Sequence, residues 1–291
     1  MAPASPFARE EFDRGVAEIE RLGFVPVFDE TVFARESGYL AGTAETRAAS
    51  FMKHWIDPGV AALVAVRGGF GSVHLLPLLD RARIVESPKL FVGYSDNTSV
   101  LSWLTCHCGI TALHGPMLEG RLAGGAGYDR RSFVELIAGG RGLALTPGGL
   151  TVLREGDASG PLFGGTIAQL VSSLGTPYAF NPPEGCVLFL EDVNERPFRI
   201  DRMLTQLQLS GVLARARALV FGEMRGCEEP GGAATVLEVI SRLTRGCAGP
   251  VIVGFPSGHT TGPTWTLPLG VAVRVSTRPT AAVLVEEAPV E

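Results

Sequence analysis

The stretch VAALVAVRGGFGS, Val60 to Ser72, decides how the chain folds. Seven apolar residues follow one another without alternation over the length of one strand, which marks a strand covered on both faces. Glycines at Gly68, Gly69 and Gly71 then turn the chain at that strand's carboxyl end. The same order recurs at Lys89 to Leu101, KLFVGYSDNTSVL: an apolar strand to Gly93, a short polar turn, and a helix over Asp96 to Cys108.

On the amino-terminal side, Phe12, Val16, Ile19 and Leu22 recur at helical spacing, so Phe7 to Leu22 reads as an amphipathic helix stopped by Gly23. Phe24 to Phe28 reads as a short strand, and Glu45 to Ile56 as a second helix closed by Asp57-Pro58-Gly59. A further helix runs from Ser72 to Asp80. Strands and helices that alternate at this spacing predict an α/β fold with a doubly wound, mostly parallel sheet of the flavodoxin or Rossmann kind. Ligands of such sheets sit at the carboxyl ends of the strands, where Gly68-Gly69 and Ser95 both fall.

From Glu119 to Gly160 glycine and proline accumulate around one short helix at Ser132 to Ile137. This predicts an N-terminal domain over 1–140, a linker over 141–160 and a smaller α/β C-terminal domain over 161–291. In the latter, Cys186 to Glu191, Ala218 to Glu223 and Pro250 to Phe255 read as strands. Ile167 to Leu174, Ile200 to Leu209 and 233–244 read as helices, and Thr264 to Val285 as a β-rich tail that suits a swivelling-type sheet.

The 291 residues carry a net charge of −5 with no cluster of lysine or arginine, which disfavours nucleic acid and anionic membranes as partners. No apolar run approaches the roughly 18–20 residues of a membrane span. The start, MAPASPFAREEFDRG, turns acidic and helical instead of presenting a basic segment and an apolar core, so a cytoplasmic chain is expected. Five cysteines in no framework pattern fit a reducing compartment. Cys106-His107-Cys108 with His114 nearby lacks the second pair that a tetrahedral metal site needs, so no metal is expected.

Ser95 has two readings. Before Asp96 and Thr98 it has good helix-capping chemistry, worth about 0.5–2 kcal/mol. As a nucleophile it would need a sharp strand-to-helix turn, a base and an orienting acid. The pattern G-x-S-x-G is not met, because Asn97 replaces the second glycine. Of the five histidines, His54, His74 and His107 fall in segments read as helices. His114 follows a segment read as a strand and stays open, and His259 stands in the loop Gly254 to Thr260 after a strand. For the acid, Glu191 and Asp192 at one strand end are equivalent by pattern, with Glu195 and Asp201 as rivals. The Gly68-Gly69 turn resembles a phosphate cradle but satisfies neither nucleotide motif; its other use is to bring backbone N–H groups close to a reacting carbonyl.

Taken together, several stretches resemble the LD-carboxypeptidases, the muramoyltetrapeptide carboxypeptidase family. They are APASP at Ala2 to Pro6, RGGFGS at Arg67 to Ser72, LLPLLD at Leu75 to Asp80 and PKLFVGYSDNT at Pro88 to Thr98. LHGPM at Leu113 to Met117, SLGTPY at Ser173 to Tyr178, LFLEDVNERPFRIDRMLTQL at Leu188 to Leu207, and GFPSGHT with TLPLG between Gly254 and Gly270 complete the set. The resemblance is collinear over nearly the whole chain. It implies a cytoplasmic serine peptidase, a homodimer without cofactor or metal, acting on murein tetrapeptides during peptidoglycan recycling. Carried over by motif, Ser95 is the nucleophile, Glu191 the acid and His259 the base. The N–H of Asp96 and one from Gly68 or Gly69 form the oxyanion hole.

Arg67 and Glu223, at strand ends, are candidates for gripping the substrate, with structural ion pairing as their alternative. The family has a strand just before its APASP-like turn, so a sheet one strand short is expected here. Two other functions stay in view. One is the family's microcin C self-immunity branch, acting on peptidyl or aminoacyl adenylates, although Arg121 to Gly160 offers only Tyr128 and Phe133 to stack an adenine. The other is a non-catalytic nucleotide- or sugar-binding module.

Overall fold

A computed structural model describes residues 1–232 and 235–289. The first half is built on strands β1 (Ala62–Val64), β2 (Leu90–Gly93) and β3 (Ala112–His114), which pair in parallel in that order. Every residue of β2 is buried, as the unbroken apolar run of a doubly covered strand requires. The run Val60 to Val66, expected to be covered on both faces, instead yields only the edge strand β1, with Leu63 buried and its neighbours half-buried. Helices α1 (Arg9–Arg21), α2 (Ala44–Trp55), α3 (Arg81–Glu86), α4 (Thr98–His107) and α5 (Arg130–Ile137) accompany this sheet. The fully buried Phe51, Trp55 and Phe91 fill the space between α2 and β2, and Trp55 donates its indole N–H to the Ile84 carbonyl. Ser72–Leu78 is 3₁₀ rather than α-helical and carries Pro77.

The second half is an eight-stranded mixed sheet. Its strands are β4 (Ala144–Leu145), β5 (Thr151–Arg154), β6 (Asp157–Thr166), β7 (Cys186–Glu191), β8 (Ala216–Gly222), β9 (Val251–Phe255), β11 (Ala272–Ser276) and β12 (Ala282–Val285). Across the sheet they run β4-β12-β11-β6-β7-β8-β9-β5. The β6-β7-β8-β9 centre is parallel and both flanks are antiparallel. Helices α6 (Ile167–Ser173), α7 (Pro197–Leu209) and α8 (Val236–Leu243) form this half's helical layer. Thr235 and Glu238 cap α8 reciprocally; two residues of its expected span, 233 and 234, lie outside the described residues.

Three expectations need correction. Residues 141–160 are not an irregular linker: they supply β4, β5 and the start of β6, and the Gly-Pro richness marks turns between short strands. The β-rich tail does not stay in one domain. Its first strand, β10 (Leu267–Leu269), pairs antiparallel with β3 and completes the smaller sheet. Phe24 to Phe28 forms no strand, since Phe28 packs edge-on against Phe12 and Phe33. The segment instead lines a largely apolar cavity of about 530 Å³ beside β1. On that outer side of β1, among the described residues, Met1 pairs, its amine donating to the Val64 carbonyl and its carbonyl accepting from Val66. Burial lowers the pKa of that amine to about 6.

Candidate active site

Ser95 follows the carboxyl end of β2 with φ +62°, a left-handed conformation that a non-glycine residue adopts only under constraint. The turn is held from several directions. Asn97 donates its amide to the carbonyls of Arg67 and Tyr94, and the Asn97 Cβ fills the space that a side chain at Gly93 would occupy. The buried Asp96 carboxylate accepts from the N–H groups of Gly71 (3.3 Å) and Ser72 (2.8 Å), and Ser72 Oγ donates back to the Asp96 carbonyl. Ser95 does not cap the helix: among the described residues no side-chain cap is formed at this terminus.

The Gly68-Gly69 turn runs directly against this serine. A Cβ on Gly68 would fall 2.9 Å from Ser95 Cβ, 3.1 Å from its Oγ and 3.6 Å from the Asp96 nitrogen. Gly69, at φ +97°, leaves room for Ser5, whose Oγ accepts from Phe70 N–H. Ser5 N–H donates in turn to the Gly68 carbonyl, so the APASP segment braces the turn.

Glu191 ends β7 and is 1 % exposed. His259 donates to its Oε2 twice, from Nδ1 at 2.8 Å and from the backbone N–H at 3.1 Å, while Thr166 Oγ1–H donates to Oε1. Burial pushes the Glu191 pKa up, but the bond and charge of His259, the charge of His114 and the bond from Thr166 together outweigh it, and the carboxyl stays below its ordinary range. An ionised Glu191 fixes the proton of His259 on Nδ1 and leaves Nε2 as the basic nitrogen. Gly222 and Gly258 make the pair possible. A Cβ on Gly222 would meet Glu191 Cβ at 2.5 Å, and one on Gly258 (φ +85°) would meet Glu191 Cδ at 2.9 Å.

The two halves meet here. Thr166 N–H donates to Thr98 Oγ1 at 3.1 Å, and the Tyr94 ring stands edge-on to the His259 imidazole, with centroids 5.1 Å apart. Burial raises the pKa of the Tyr94 hydroxyl. A Ser95–His259 hydrogen bond is not formed among the described residues. Such contacts tighten in many enzymes only when substrate binds.

The other candidates fall elsewhere. Asp192 turns away from the cleft and accepts from Ala168 N–H at the start of α6 and from its neighbour Val193; burial raises its pKa to about 6. His114 is fully buried behind Gly258, with Nδ1 bonded to Ser257 Oγ at 2.8 Å and Nε2 without a partner among the described residues. Burial lowers its pKa to about 4. His54 and His107 bond backbone carbonyls, and His74 stands edge-on to Phe70. Arg67 pairs with Glu119 at 3.0 Å and donates to the Pro6 carbonyl, and Glu223 accepts from Thr261 N–H at 2.7 Å. Glu195 and Asp201 pair with Arg199 and Arg242.

Thr166 and Tyr94 escaped the sequence reading. The Gly164-Gly165 pair before Thr166 was the available signal, since a side chain at Gly165 would collide with Thr98. Among the described residues, no cluster of three metal-ligating side chains occurs and no helix is long and apolar enough to cross a membrane.

Comparison with known proteins bears on this geometry. The models of the LD-carboxypeptidase N-terminal and C-terminal domains match residues 1–115 and 159–275. A Streptomyces coelicolor protein named only as a presumed carboxypeptidase is 35 % identical, over 93 % of this chain and 87 % of its own. The murein tetrapeptide carboxypeptidase of Pseudomonas aeruginosa is 30 % identical, over 89 % and 86 %. The microcin C7 self-immunity protein of Escherichia coli is 26 % identical, over 94 % and 88 %. The crystal structure of a muramoyltetrapeptide carboxypeptidase from Oxalobacter formigenes superposes with a TM-score of 0.85 at 28 % identity, covering 99 % of this chain and 97 % of that one.

Proposed function

Because the chain belongs to the LD-carboxypeptidase family, we propose that it is a serine peptidase that releases terminal D-alanine from murein tetrapeptides, with Ser95, His259 and Glu191 as its triad. The observation that carries this reading is Ser95 at φ +62° between a buried strand and a helix, the conformation of a nucleophile raised from a sharp turn. His259 Nε2 takes the Ser95 proton as Oγ bonds to the scissile carbonyl carbon. Glu191 holds the ring's tautomer and stabilises the imidazolium. The Asp96 N–H and one from Gly68 or Gly69 take the oxyanion. As the C–N bond breaks, the imidazolium returns its proton to the leaving amine. Water, deprotonated by His259, then cleaves the acyl ester and restores Ser95.

The murein reading is favoured over adenylate cleavage by the fate of two aromatic rings. Tyr128 and Phe133 are 4 % and 0 % exposed and pack on each other, so neither is available to stack on a base. A binding module without catalysis would leave the Glu191–His259 pair without a role. Five unpaired thiols suit work in the cytoplasm, where peptidoglycan fragments are recycled. The homodimer implied by the family resemblance is tested by sedimentation, in which a monomer at micromolar concentration would reject it. The deciding assay presents a murein tetrapeptide and an aminoacyl adenylate side by side. D-alanine release that vanishes in Ser95→Ala supports the proposal. Turnover of the adenylate alone, or full activity in Ser95→Ala, overturns it.

A further inference from the structure

The loop that carries His259 is wrapped around a side chain from the other half of the molecule. Arg121 lies in the irregular turn after β3, and its guanidinium reaches four carbonyl oxygens. Nη2 donates to Gly258 (3.1 Å) and Thr260 (2.9 Å), and Nη1 to Gly262 (3.0 Å) and Gly127 (3.4 Å). Three of those carbonyls alternate along 258–262, so the loop's inward-facing acceptors converge on one planar fork of donors. His259 sits between the first two. No other side chain could do this equally well: a lysine ammonium offers three donors from one point, whereas guanidinium offers five in a fixed plane.

The remaining contacts of the loop complete the picture. Ser257 bonds His114 in the smaller sheet, Gly258 N–H donates to Thr264 Oγ1, Thr261 N–H donates to Glu223, and Thr264 pairs with residues 127–129. Among the described residues, Arg121 is the side chain that reaches both residues flanking His259. A loop of glycines and threonines has many conformations of similar energy, and unpaired carbonyls on its inner side would be costly to bury.

We propose that Arg121 is a positioning residue: by binding the carbonyls on either side of His259 it sets where the imidazole stands over Ser95. The inference rests on the serine-peptidase reading above. It predicts a loss in the chemical step rather than in substrate affinity. Displacing a catalytic group by about 1 Å costs on the order of 10²-fold. Arg121→Ala is therefore expected to lower kcat about 100-fold with KM changed by less than about threefold, and to slow labelling of Ser95 by a fluorophosphonate by a similar factor. Arg121→Lys, with fewer donors, is expected to recover about tenfold of that loss in both readouts.

The labelling rate matters because it needs His259 in place but makes no demand on peptide binding. A purely structural arginine would move KM and stability and leave the labelling rate of the folded fraction alone. Arg121→Ala with kcat and labelling within threefold of the parent overturns the proposal, as does a large rise in KM at unchanged kcat. Should Arg121→Ala fail to fold, Arg121→Lys decides, and parental kcat in that variant rejects the role. Ser95→Ala is run alongside. If it keeps its activity, the serine mechanism itself is wrong; if it is dead while Arg121→Ala is unimpaired, only the role of Arg121 falls.

Discussion

Replacing Gly68 with alanine separates catalysis from stability. The added Cβ would lie 2.9 Å from Ser95 Cβ and 3.1 Å from Oγ, where ordinary carbon contacts sit at about 3.5–4.0 Å. Ser95 must therefore give way by several tenths of an ångström. The methyl also comes to 3.6 Å from the Asp96 nitrogen. That is the space an oxyanion would fill at about 2.7–3.1 Å from the same N–H, so one donor is lost to the transition state, worth about 2.7–4 kcal/mol or 10²–10³ in kcat. Stability moves much less. Gly68 is not among the glycines at positive φ, so alanine restricts the unfolded chain and returns about 0.4–1 kcal/mol. Overpacking against Ser95 costs about 1–3 kcal/mol. The net, at most about 2–3 kcal/mol, is a few degrees in Tm for a chain of this length. Activity by D-alanine release, fluorophosphonate labelling and thermal unfolding are measured on one preparation. Gly68→Ala with kcat within threefold of the parent would refute the placement of the oxyanion beside this turn. Gly69→Ala is the contrast: at φ +97° and 2.3 Å from Ser5 Oγ, it should lose stability as well.

Three further outcomes are expected. Ser95→Ala and His259→Ala should each lower kcat by about 10⁶-fold, with the double variant scarcely worse, because triad members act as one unit; additive losses in single-turnover assays would contradict this. Thr166→Val removes a hydrogen bond that favours ionised Glu191, so the acid limb of kcat/KM should move to higher pH; an unmoved limb would exclude that bond from tuning the pair. Stability between pH 4 and 6 should depend on two buried groups of opposite sign. His114, lowered from 6.5 to about 4, binds fewer protons folded than unfolded, so its contribution is lost as pH falls from about 6.5 to 4. Asp192, raised from 3.8 to about 6, binds more protons folded, so stability is lost as pH rises from about 4 to 6. Each is worth about 3 kcal/mol and the two nearly cancel. In urea titrations, Asp192→Asn should make stability rise with pH over this range and His114→Gln should make it fall; equal slopes in both would reject the assignment.

How much of this was legible in the sequence follows from what each strand buries. The parallel strands β2, β7 and β9 could be read because strands covered on both faces are unbroken apolar runs. The same property hid the choice between Glu191 and Asp192. Consecutive residues of a strand point to opposite faces, and with both faces apolar nothing in the pattern says which one meets the cleft. Packing decides it: Glu191 takes His259, and Asp192 takes the Ala168 N–H in the first turn of α6. Phe24 to Phe28 misled for a related reason. An apolar run describes what a segment can bury, not whether an edge pairs with it, and Phe28 joined an aromatic cluster. Arg121 gave no local signal at all, because its four acceptors are backbone carbonyls, three of them about 140 residues further on.

The connectivity around His259 shows how the proposed base could serve the proposed nucleophile on another sheet. The loop leaves β9 in the large sheet and, after residues 256–266, enters β10 in the small one, where Leu267 pairs with His114. Ser95 follows β2, the neighbour of β3 in that same small sheet. The base is thus tethered on both sides: through β9 to the sheet that holds Glu191, and through β10 to the sheet that raises Ser95. A single rigid domain would need neither tether. Arg121 and the His114–Ser257 bond add two further links between this loop and the half that carries Ser95. Active-site geometry and the packing of the two halves are consequently one variable. Substitutions in the β3–β10 pairing should lower kcat before they unfold the chain, whereas equal truncations in α7, which packs against α6 and α8, should lower stability and leave kcat unchanged.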